Sequence, residues 1–95
     1  MSKTPEKRVI DGNDARQLLD NALFKQAFEN VEGYLDAQAL SCDPDNKDKA
    51  QRIVISKQLL AAVQREIIRV IEDGAMAQVH MQEIEQRKRF GIFKR

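Results

Sequence analysis

The 95-residue sequence has no tryptophan, one histidine, one cysteine, two prolines and four glycines. Each scarcity excludes something. A lone cysteine, Cys42, rules out an internal disulfide framework and suits a reducing cytosol. An ordinary loop cysteine is a better reading of it than a reactive thiol or an intermolecular bridge. His80 and Cys42 fall on different predicted elements with no third group to orient them, which argues against a cysteine nucleophile. The chain has no GxxxxGK[ST] phosphate loop, no GxGxxG, no CxxC, no HExxH and no nucleophile elbow. His80 and Glu83 share a helix face, but di-iron bundles use repeated Glu-x-x-His motifs plus further glutamates. A solvated histidine beside a carboxylate is therefore the better reading. Catalytic, cofactor-binding and metal-ligating residues are all expected to be absent.

Long apolar runs are missing too. No stretch of about 18 apolar residues exists to span a bilayer, and MSKTPEKRVIDGND lacks the apolar segment of a signal peptide. The expected location is the cytoplasm.

What is present is helical pattern. Hydrophobic content of 42% with 33% charged residues fits one small soluble domain of all-α class. The strongest stretch runs from Asp43 to Gly74. Asp43 is a natural N-cap, Pro44 suits the first helical position, and Asp45 and Asp48 favour the positive end of the helix dipole. Gly74 is a natural left-handed terminator. Wound at 100° per residue, Ile53, Leu59, Leu60, Val63, Ile67, Val70 and Ile71 fall on one half of the cylinder, with Ile55 and Ile68 at its edges. The apolar arc nears 180°, wider than the stripe of somewhat over 100° that an ordinary surface helix buries.

Between Ala15 and Leu40 a single straight helix would be inconsistent. Ala15, Leu18, Leu19, Ala22 and Leu23 point one way; Phe24, Ala27, Phe28, Val31, Tyr34 and Leu35 point nearly the opposite way. A break at Asp20-Asn21 resolves this, with Asn21 capping a new helix. The alternative is one helix whose first apolar face binds a second subunit. The expected layout is a short helix near 13–20 after a turn at 11–14, an antiparallel hairpin of helices at about 22–40 and 44–73, and a final helix at about 75–88. Residues 1–10 are expected to be disordered, 11–86 to form the helical domain, and 87–95 a basic tail. Phe24, Phe28, Val31, Leu35, Ile53, Leu60, Val63, Ile67 and Val70 are the expected hairpin or oligomer core.

The tail, RKRFGIFKR, is the only strongly one-signed patch. Without its five bases the chain has eleven bases against fifteen acids. Arg87, Lys88, Arg89, Phe90, Phe93, Lys94 and Arg95 can grip phosphates while an aromatic stacks on a base, or dock on an acidic protein groove or anionic membrane surface. A solvated terminus that only aids solubility weighs equally, and the acidic body disfavours a duplex.

The Ala15-x-x-Leu18-Leu19-x-Asn21 start, the Phe24-x-x-Ala27-Phe28 continuation and the Ile71-Glu72-Asp73-Gly74-x-x-Ala77 turn resemble small all-helical proteins of tailed bacteriophages and prophages. The likeness spans roughly residues 12–80. In that group a proline often follows the asparagine, where this chain has Ala22, and the long helix often carries aromatics, where this chain has Ile and Val. The resemblance implies a non-enzymatic part of virion assembly or DNA packaging and carries over no catalytic residue. Three functions are thus in view: a self-associating interaction protein, a nucleic-acid-binding accessory acting through its tail, and a protein whose tail docks on another phage or host protein.

Overall fold

The computed structural model describes residues 3–93, excluding the side chains of residues 92 and 93. The chain is all-α: helix α1 spans Pro5–Asp20, α2 Ala22–Ser41 and α3 Lys47–Phe93, with no strand among the described residues. It divides into two compact units. The first comprises 1–17 with 67–95, and the second 18–66.

Helix α1 begins at Pro5, not near residue 13. Thr4 is its cap, its Oγ1 accepting from the Lys7 N–H at 3.2 Å while its carbonyl accepts from Arg8. Pro5 occupies the first turn, where a missing N–H costs nothing, and Glu6 favours the dipole. Residues 5–10 are therefore helical, and 11–14 continue the helix where a turn was expected. The break at Asn21 is where the opposed apolar faces place it. Its backbone is extended (φ −68°, ψ 123°) and its Oδ1 accepts from Phe24 N–H at 2.9 Å, so 13–40 form two helices.

The expected Asp43 cap is also corrected. Asp43-Pro44-Asp45 form a turn, with Asp43 Oδ1 accepting from Asp45 N–H at 2.9 Å and its carbonyl accepting from Asn46. Asp followed by Pro is as good a turn opening as a helix start. Asn46 caps α3 in its place, accepting from Lys49 N–H at 3.2 Å.

Helix α3 then runs unbroken through Gly74, so the separate helices expected at 44–73 and 75–88 are one. No described glycine has positive φ. Ala75-Met76-Ala77-Gln78 are strong helix formers, and one glycine costs only about 1 kcal/mol against alanine.

Candidate functional site

In the first unit, α1 and α3 approach backbone to backbone. A Cβ on Gly74 would sit 2.8 Å from the Arg8 carbonyl oxygen and 2.9 Å from the Gly12 Cα. A Cβ on Gly12 would sit 2.9 Å from the Gly74 Cα and 3.3 Å from the Val70 oxygen. Both glycines are buried, and Ala77, one turn along from Gly74, is fully so. Gly74 thus serves as a contact point, not a terminator.

Beside this contact Arg8 forks onto Asp73, Nε donating to Oδ2 at 2.9 Å and Nη2 to Oδ1 at 2.7 Å. That bond holds the Asp73 carboxyl below the usual range and raises the Arg8 guanidinium above its own. Asp11 accepts from Lys3 at 2.6 Å and pairs with Lys7 at 2.8 Å; both bonds hold its carboxyl down, and Asp11 raises Lys7.

The second unit is held by side chains. Phe24 and Phe28 meet with ring centroids 5.8 Å apart, and Asp36 pairs with Lys57 at 2.9 Å. Phe28, Leu35, Leu60 and Ala61 line a shallow groove of about 220 Å³ edged by Glu32 and Gln64. Ile53 is the one buried apolar side chain of this unit among the described residues.

The expected core residues divide. Phe24, Phe28, Leu35, Leu60, Ile67 and Val70 are half-buried, while Val31 and Val63 are exposed. Helix α2 leaves Leu23, Ala27, Val31 and Tyr34 open on one flank, and α3 leaves Ile55, Leu59, Ala62 and Val63 open. Tyr34 and Leu59 are each 63% exposed. The groove flank of the same two helices is polar, carrying Glu32, Asp36, Lys57 and Gln64.

Arg87, Lys88, Arg89 and Phe90 lie exposed on the last turns of α3. At 100° per residue the three bases point in three directions around the axis. Lys94, Arg95 and the Phe93 side chain lie outside the described residues. His80 and Glu83 edge a shallow apolar groove with Met76 and Val79. Among the described residues no group of three or more His, Cys, Asp or Glu is placed to hold a metal ion. No helix among the described residues is long and apolar enough to cross a membrane.

Sequence reasoning missed Gly12, Gly74, Ala77 and the Arg8–Asp73 fork. A signal for Gly74 and Ala77 was there. Ile53, Ser56, Leu60, Val63, Ile67, Val70, Gly74, Ala77 and Met81 alternate by three and four, a 3.5-residue repeat that marks the contacted seam of α3. Of these nine only Val63 is exposed. The fork joins residues 65 apart and has no local signal.

Comparison with known protein families, curated proteins and solved structures gave no match.

Proposed function

We propose that the chain is a non-enzymatic helical interaction protein that self-associates through the open apolar flank of its second unit. Virion assembly is the setting that the resemblance to small phage proteins implies. The reading takes α2 and the 47–66 part of α3 as an antiparallel hairpin. Asp36 pairing with Lys57, and Phe28 and Glu32 sharing a groove with Leu60 and Gln64, support it. In such a hairpin one flank is charged. The other sets Leu23, Ala27, Val31 and Tyr34 beside Ile55, Leu59 and Val63 as one apolar surface. The observation that carries the proposal is the exposure of that whole set on a unit burying only one large apolar side chain. Apolar surface of this kind gains about 25 cal/mol per Å² when a partner covers it, and contiguous exposed patches mark interaction sites.

Light scattering at micromolar concentration tests it. An oligomer mass is expected for the native chain, with Leu59→Lys shifting it toward monomer at unchanged helicity. A monomer mass for the native chain overturns the reading.

The second reading, a nucleic-acid or DNA-packaging accessory, draws on Arg87, Lys88 and Arg89 beside exposed Phe90. Their scatter around the axis favours it less than a single basic strip would. It predicts binding to single strands that falls steeply with salt and is lost on removing residues 87–95; binding unchanged by that deletion excludes it.

A further inference from the structure

Helix α3 carries a second apolar stripe that neither unit uses. Met76, Val79, Glu83, Gln86 and Phe90 follow one another at intervals of three, four, three and four. At 100° per residue this stripe lies about 180° around the axis from Gly74, Ala77 and Met81, the side that α1 meets. It is open: Met76 is 68%, Val79 55% and Phe90 67% exposed. The repeat is that of a two-helix coiled coil, with apolar ends and a polar centre.

The order of residues along the stripe singles out the occupant. Reversed and laid against itself, it puts Val79 opposite Phe90 and Glu83 opposite Gln86, each pair occurring twice about a two-fold axis. Within 79–90 every apolar position of the stripe meets an apolar one, and each Glu83 meets an amide that can donate to it. The charges agree. Residues 74–86 contain Glu83 and Glu85 and no lysine or arginine, whereas 87–95 contain five bases and no acid. Reversal sets the acidic part of one helix against the basic part of the other, with Glu83 one position from Arg87 of the second copy. A parallel pair would instead stack Glu83 on Glu83 and bases on bases, which like-charge repulsion opposes.

From this we infer that the 79–90 stretch of α3 is a self-complementary docking strip, which pairs antiparallel with the same stretch of a second copy along about 18 Å at 1.5 Å per residue. The strip is distinct from the apolar flank of the second unit and does not depend on it. Two such surfaces on one chain let copies link in series, where either alone gives only a closed pair.

Single-cysteine chains test the register. In a Cys42→Ser background, Glu83→Cys and Gln86→Cys chains are mixed under mild oxidation, both positions being exposed so that the helix is undisturbed. The mixed disulfide is expected to exceed either homodisulfide several-fold, and Phe90→Lys in both chains to suppress it several-fold at unchanged helical circular dichroism. Predominant homodisulfide from Glu83→Cys alone means a parallel pair and overturns the proposal, as does no cross-link in any mixture. Repeating the mixture with Leu59→Lys separates this from the other surface. A mixed disulfide that persists there supports the strip alone; an oligomer mass without any mixed disulfide leaves the flank standing and removes the strip.

Discussion

Gly12 and Gly33 both lie inside helices, and their surroundings differ in kind. A Cβ on Gly12 would meet backbone of α3 at 2.9 Å, whereas one on Gly33 would meet nothing within 4 Å. The first unit brings two backbones together at paired glycines and locks them with a forked Arg8–Asp73 bond. The second unit separates its helices by Phe28, Leu35 and Leu60, and an exposed Asp36–Lys57 pair bridges them. Close backbone contact leaves no room for change. Contact through large, half-exposed side chains leaves both a groove and an open flank. The difference locates tolerance to substitution in the second unit and intolerance in the first.

The sharpest break of this contrast is Gly74→Leu. The new side chain has no space against the Arg8 carbonyl and Gly12, and overpacking of this kind costs about 1–3 kcal/mol or more. Thermal unfolding should show a clear loss, with amide exchange rising in α1. An unchanged melting temperature refutes the close approach. Arg8→Ala comes next, weakening the first unit by more than Asp36→Ala weakens the second, because it leaves a forked, partly shielded carboxylate without its partner.

The same fork sets a pH dependence. The folded-state values of Asp73 and Asp11 lie below their unfolded ones. The unfolded chain therefore binds more protons through this window, and stability rises with pH across it. The contribution is present above the ordinary carboxylate value of about 3.9 and lost as pH falls through the depressed folded values. Asp73→Asn should flatten the acid limb of the stability curve; an equally steep limb in that variant counts against the fork.

Gly33→Ala tests the other half of the contrast. With open space around the site it should gain about 0.5–1 kcal/mol from helix propensity, the opposite sign to Gly74→Leu. Asp36→Ala is the smallest change, about 0.5 kcal/mol or less for a pair half-open to water. A larger loss there means the groove flank is more shielded than its exposure implies.

Legibility in the sequence followed the range of the interaction. Asn21 was readable because the apolar faces on either side of it conflict within a few residues, and its cap closes locally. Thr4-Pro5-Glu6 and Asp43-Pro44-Asp45 are nearly the same signal, yet the first opens a helix and the second a turn. Asn46, three residues past Asp43, supplies a competing cap. Gly74 was read as a stop because a glycine after two acids has that local meaning, while its partner Gly12 lies 62 positions away. The wide apolar arc of α3 was legible as a surplus. Which of its residues stay open, Val63 and Leu59 but not Leu60, was not.

Composition and periodicity alone determined an all-α chain with a break at Asn21, a dominant helix organised around Ile53 to Val70, and a basic end. Those properties depend on contacts within a few turns, which the order of residues specifies directly. Only the tertiary structure decided that α1 starts at Pro5, that α3 continues past Gly74, and that Arg8 meets Asp73. The first two are choices between competing local signals, a cap at Thr4 and helix formers after Gly74. The fork depends on a second helix arriving from far along the chain, where a missing Cβ becomes a place for backbone to pack.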